Sequence, residues 1–230
     1  MTDLSHRTVL ITGASGNLGT SVIDSFLSAR ATVVGVTARL QETPLKPNYV
    51  QVAADLTSAE SVDNLVAAAL EPTGKIDALV HTVGGFAGGT PVHETDEATW
   101  DRMMNLNLKT TFLATRAVLH PMIEAGYGRI VAVGARPGVD PVGGLGAYSS
   151  SKAGLHALIQ TIALEGTKYG VTANVLMPSI IDTPSNRQAM PDADFSKWVA
   201  PESVAQQILW LCSDEAADVS GALVPVYGRS

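Results

Sequence analysis

Three glycines near the amino terminus constrain this chain most. Val9-Leu10-Ile11-Thr12-Gly13-Ala14-Ser15-Gly16-Asn17-Leu18-Gly19 sets Gly13, Gly16 and Gly19 three residues apart, between an apolar run and a helical pattern. A short apolar run ended by glycine reads as a buried strand. Glycine permits a tight strand-to-helix turn and lets the backbone approach a bound group closely. The helix that follows presents free N–H groups and the positive end of its dipole, which suit a pyrophosphate. The expected contacts are Gly13, Ser15, Gly16, Asn17, Leu18 and Gly19. Alone, the spacing also suits an ordinary strand–helix turn. Its place at the first crossover favours the dinucleotide reading.

The rest of the chain repeats this alternation. Strands are expected at Arg7–Thr12, Thr32–Thr37, Tyr49–Ala53, Asp77–Thr82, Gly128–Val133, Val171–Met177 and Leu223–Val226. Helical patterns lie between them, at Asn17–Ala29 with Leu18, Val22, Phe26 and Leu27 inward, then from a Thr57-Ser58-Ala59-Glu60 capping box to Leu70. Others cover Glu97–Ala125, Tyr148–Lys168 and Pro201–Cys212. Such alternation predicts one α/β unit over residues 1–230, a Rossmann-type, doubly wound parallel sheet with helices on both faces. Irregular stretches at Phe86–Glu94, Arg136–Ala147 and Ser179–Lys197 all follow strands, so they should meet above the carboxyl ends of the sheet. The last is long for a connection and reads as a lid at about 179–198.

Composition narrows the partners. A net charge of −7 argues against nucleic acid. No apolar run approaches membrane-span length, the amino terminus lacks signal-peptide features, and a cytoplasmic location is expected. The one cysteine, Cys212, reads as a small core residue, and no metal site is expected.

Tyr148 and Lys152 stand four residues apart in Tyr-Ser-Ser-Ser-Lys, on one face of a helix. A phenol has an ordinary pKa of about 10, and a neighbouring ammonium favours its ionised form. The pair therefore reads as a proton donor with its activating cation, and Lys152 can also reach ribose hydroxyls. At the end of the second strand an acid usually meets the ribose in NAD sites. Here Thr37-Ala38-Arg39 stands instead. Arg39 either pairs with a 2′-phosphate or is a solvated loop residue. The first reading favours NADP(H), with NAD(H) possible.

Together these motifs resemble the short-chain dehydrogenase/reductase family over essentially the full chain. The resemblance implies a small-molecule substrate and a homodimer or homotetramer, with the helices at 107–123 and 148–168 in the interface. It further implies that Asp55 and Leu56 border the adenine and that Asn107 belongs to the proton relay with Tyr148 and Lys152. Gly84, Pro178, Ile181 and Thr183 would line the nicotinamide side. The chain departs from the family at His81-Thr82-Val83-Gly84, where only the glycine of Asn-Asn-Ala-Gly is kept, and at Ala135, where a catalytic serine is expected. Gly84-Gly85-Phe86-Ala87-Gly88-Gly89, Ala135 and the run Asp182–Trp198 resemble the quinonoid dihydropteridine reductases within the family. That implies substrate contacts from Phe86, Ala135, Tyr148, Arg187 and Met190. Phe86 either stacks on a flat heterocycle or anchors its loop. The alternatives are a reductase of another carbonyl or imine, and a non-catalytic NAD(P) sensor.

Overall fold

The computed structural model describes residues 2–40, 46–71 and 73–229, and every candidate site residue lies among them. Strands β1 (Thr8–Thr12), β2 (Thr32–Thr37), β3 (Tyr49–Ala53), β4 (Ala78–His81), β5 (Gly128–Val133), β6 (Val171–Pro178) and β7 (Leu223–Val226) form one sheet. Their order is β3-β2-β1-β4-β5-β6-β7, and every pairing is parallel. β1 and β6 are buried at every residue, as inner strands of a parallel sheet covered on both faces should be. β3, at the edge, is only partly covered.

Side chains alternate between two cores. Leu10, Leu79 and Ile130 face α2 (Ala59–Leu70), α4 (Thr110–Ala125) and α5 (Gly146–Gly166). Val9, Ile11, Val80 and Val131 face α1 (Asn17–Ser28) and α7 (Pro201–Leu211). The period of two in each strand thus assigns helices to both faces. In α1 the inward residues are Val22, Ile23 and Phe26, with Leu18 and Leu27 only half-buried at the margin. Cys212 is buried just past α7, where burial pushes its thiol up to about 12.

Two expected elements differ in detail. The cap of α2 is Ser58, whose hydroxyl accepts from Ser61 N–H at 3.3 Å. The box starting at Thr57 is therefore not formed, because the Thr57 hydroxyl donates to Asp55 at 2.7 Å. The long helical pattern from Glu97 is also not one regular helix. It comprises α3 (Glu97–Met103), a π-helical stretch Met104–Lys109 and then α4. Wide turns of this kind inside helices recur at functional sites, and this one carries Asn107. Within the segment 179–198, α6 (Pro184–Ala189) is a short helix.

The strand order reverses between β1 and β4. The chain leaves β1 toward one face and β4 toward the other, which opens a crevice at their carboxyl ends.

Candidate active site

The first wall of the crevice is the glycine turn. Gly13 has φ +71°, a backbone region that strains other residues. An added Cβ on Gly19 would overlap the Gly13 carbonyl, so β1 and α1 approach more closely here than a side chain allows. Gly16 N–H donates to Gly13 O at 2.9 Å, and Gly16, at the N-cap of α1, offers no side-chain cap. Its first N–H groups are left for an anion, with exposed Ser15 and Asn17 beside them. These residues fit the pyrophosphate of a dinucleotide. Asn17 also donates to Ser185 in α6 at 3.2 Å, tying the turn to the segment 179–198. A cavity of about 540 Å³ lies along that junction, lined by Asn17, Thr183, Arg187 and Pro201 among others.

At the end of β2, Thr37 is buried and its hydroxyl donates to the Arg39 carbonyl at 2.8 Å. This fixes the backbone of Arg39, while its side chain is exposed. After β3, Asp55 is exposed and accepts from both the hydroxyl and the amide of Thr57, which hold its carboxyl below the usual range. Leu56 is buried behind it.

The second wall carries the proton-transfer candidates. Lys152 is buried on α5, and its ammonium donates to Val133 O at 2.8 Å. Burial lowers its pKa to about 8. Tyr148 is pushed the other way, up to about 12. The sequence pair suggests that Lys152 lowers the tyrosine, but in this geometry desolvation of the phenol dominates. Across from them is the loop after β4. A Cβ on Gly84 would stand 2.9 Å from Asn107 Oδ1 and 3.2 Å from Lys152 Nζ, so three chain segments converge on one point. Asn107 Oδ1 accepts from Gly85 N–H at 2.8 Å, and its Nδ2 donates to Gly85 O at 3.1 Å and to Ser151 Oγ at 2.9 Å. Ser151 Oγ in turn donates to Tyr148 O at 2.8 Å. Asn107 is thus a bracket between the β4 loop and α5. Ser151 was missed by motif reading, although its spacing from Tyr148 places it on the inward side of the helix.

The side expected to face the substrate is aromatic. Phe86 meets Tyr148 edge to face, with ring centroids 5.0 Å apart. It is 64% exposed, so much of the ring is free to contact a ligand. A cavity of about 290 Å³ opens beside this pair, with Ala87, Gly88, Arg102, Gly146 and Ala147 in its lining. Ala135 is buried at the end of β5, and its N–H donates to His156 Nε2 at 3.4 Å.

The segment 179–198 is held mainly by its own contacts. Arg187 pairs with both oxygens of Asp182 at 2.6 and 2.8 Å and lies over the Phe195 ring at 4.6 Å. Phe195 packs on Trp198. Thr183 caps α6, Ile181 bridges Val199, and Pro178 ends β6. No described contact brings Arg187 or half-buried Met190 to Tyr148, Phe86 or Ala135.

His81 is a second histidine that motif reading left without a role. It is fully buried between Thr12 Oγ1 at 3.0 Å from Nδ1 and Thr110 Oγ1 at 3.3 Å from Nε2. The Thr110 hydroxyl donates to Leu106 O, so its lone pair receives Nε2–H. Nδ1 then accepts from Thr12. The chain runs from β1 to the π-helical stretch, and burial drops the ring pKa to about 3. Among the described residues no group of three metal-ligating side chains occurs, and no helix is long and apolar enough to cross a membrane.

The short chain dehydrogenase family model matches residues 7–194. The chain is 32% identical to subunit BbsD of a hydroxy(phenyl)methylsuccinyl-CoA dehydrogenase from Thauera aromatica, over 98% of this chain and 96% of that one. It is 29% identical to an acetoacetyl-CoA reductase of Allochromatium vinosum, over 96% and 97% of the two chains. The crystal structure of gox2181 superposes with a TM-score of 0.87 at 26% identity, covering 98% of this chain and 95% of that one. With the glycine turn, the Tyr148–Lys152 pair and this full-length similarity in agreement, the chain belongs to the short-chain dehydrogenase/reductase family and is an oxidoreductase of that type.

Proposed function

We propose that this oxidoreductase reduces a quinonoid dihydropteridine or a related flat, conjugated acceptor with NAD(P)H. The observation that carries the reading is the edge-to-face pairing of Phe86 with Tyr148, with a buried Ala135 standing where the family has a serine. A simple ketone concentrates charge on one oxygen during reduction, and a second hydroxyl donor there is worth about 10²–10³ in rate. A conjugated imine-type acceptor spreads that charge over its ring, and an aromatic neighbour suits it.

Each chain residue then has a task. The turn from Gly13 to Gly19, with Thr37, Asp55 and Leu56, holds the dinucleotide. Arg39 meets a 2′-phosphate and favours NADP(H) over NAD(H). A reduced nicotinamide, when bound, supplies the hydride. Gly84 leaves room beside Lys152 and Asn107, and Pro178, Ile181 and Thr183 border the same space. Tyr148 Oη gives the acceptor its proton, and an elevated pKa keeps that proton in place until transfer. Lys152 stays mostly charged at neutral pH and replaces lost solvation as the phenol ionises. Phe86 lies against the acceptor, and residues 179–198, with Arg187 and Met190, cover it. The chain pairs as a homodimer or homotetramer through α4 and α5, where Phe112, Ile123 and Leu164 are exposed.

A second reading, reduction of a 3-oxoacyl thioester, is favoured by the acetoacetyl-CoA reductase of Allochromatium vinosum among the relatives. NADPH consumption with quinonoid dihydropterin, with acetoacetyl-CoA and with small diketones separates the two. Pterin turnover well above the others is expected. Robust thioester or ketone reduction with no pterin turnover overturns the first reading.

A further inference from the structure

His156 takes no part in the machinery above, yet the loop bearing Ala135 is shaped around it. The ring is 3% exposed. An added Cβ on Gly134 would overlap its Nε2 edge, and one on Gly138 would overlap its Cε1 edge. The two glycines therefore bracket the imidazole, and the segment Ala135-Arg136-Pro137 arches between them. Ala135 N–H donates to Nε2 at 3.4 Å. That bond needs a lone pair on Nε2, which puts the ring proton on Nδ1, and Nδ1 has no partner. A buried N–H left unpaired is costly, so the ring stays there against a penalty. The rest of the loop is tied by Gly134 N–H to Leu176 O and by Gly138 N–H back to Ala135 O. Neither bond sets the Ala135 amide itself.

From this we infer that His156 is a positioning residue for substrate selection. It fixes Ala135 beneath the acceptor and consumes the Ala135 amide, so neither a side-chain hydroxyl nor this backbone N–H is offered to the substrate at that position. Tyr148 is left as the donor. The inference deepens the proposed function and rests on it for the identity of the acceptor, but the geometry of the loop is independent of that reading.

The test compares wild type with His156→Leu, which keeps bulk and loses the acceptor, and His156→Gln, whose side-chain oxygen restores one. Amide hydrogen exchange at Ala135 in the free protein is expected to quicken about tenfold in the leucine variant and to recover in the glutamine variant. With the best acceptor among quinonoid dihydropterin, acetoacetyl-CoA and diketones, KM should rise about tenfold in His156→Leu and recover in His156→Gln. The dissociation constant for NADPH should stay within about twofold of wild type in both. Unchanged exchange and KM in the leucine variant overturn the inference, as does equal damage in both variants or a matching loss of NADPH affinity. Should the leucine variant fail to fold, the glutamine variant decides: wild-type exchange and KM are required of it. Absence of pterin turnover in wild type removes the acceptor assignment alone, because the exchange measurement still reads His156.

Discussion

At Ala135 one missing oxygen separates two chemistries. Ala135→Ser should leave turnover of a conjugated imine-type acceptor nearly unchanged or slightly lower, and should raise kcat/KM for simple ketones. The new hydroxyl returns only part of the 10²–10³ that a purpose-built donor is worth, so a gain of about tenfold is expected. Steady-state kinetics on both substrate types checks this, and a loss on ketones would count against the role given to Ala135. At Arg39, Arg39→Ala should weaken NADPH by about 1.5–3 kcal/mol and leave NADH almost untouched, the scale of a charge-assisted hydrogen bond. Fluorescence titration of both cofactors measures it, and equal losses would remove the 2′-phosphate contact. Tyr148 and Lys152 were legible from sequence because one helical turn joins them. Their proton affinities were not, since burial sets those and burial depends on packing from β4 and β5. Ser151, His81 and His156 were illegible for a related reason. A buried polar side chain acquires meaning only from a partner distant in sequence, as Asn107 is for Ser151.

At the scale of elements, the strands were readable almost to the residue, because short, largely apolar runs between helical patterns leave little choice. The helix before β5 was readable as helical but not in its pitch. Nothing in Met104-Asn105-Leu106-Asn107-Leu108-Lys109 announces the wide turn there. The stretch is stabilised from outside, by Asn107 on Gly85 and Ser151 and by Thr110 on His81. Asn107→Ala should therefore cost stability as well as turnover. It strands the Gly85 N–H and C=O, a loss of about 1–3 kcal/mol. Urea unfolding monitored by circular dichroism tests this, and an unchanged midpoint would show the bracket to be idle. The segment 179–198 illustrates the opposite case. Its long motif marked a segment, but the ion pair of Arg187 with Asp182 shows that motif residues also hold the segment's own shape.

Across the whole molecule the two buried histidines make folding sensitive to acid. Their pKa values sit near 3 and 4 in the folded chain, below the ordinary 6.5. For His156, burial comes first and the Lys152 charge second. The unfolded chain then binds protons that the folded chain excludes, so stability is complete above about pH 6.5 and falls as pH drops toward 4. Each histidine contributes a slope approaching about 1.4 kcal/mol per pH unit in that window. Urea unfolding at intervals from pH 7 to 4.5 should show a shallower slope for His156→Gln than for wild type, and parallel slopes would contradict the shifted value. The strand order carries a different consequence, for the ribosome. β1 precedes the other strands of the sheet and ends up inside it; β2 and β3 then extend one margin, and β4 to β7 extend the other. Each new strand docks on an edge that is still open, and none must be threaded between two strands already joined. The sheet can thus assemble in the order of synthesis, each strand from β2 to β7 finding a bare margin when it arrives.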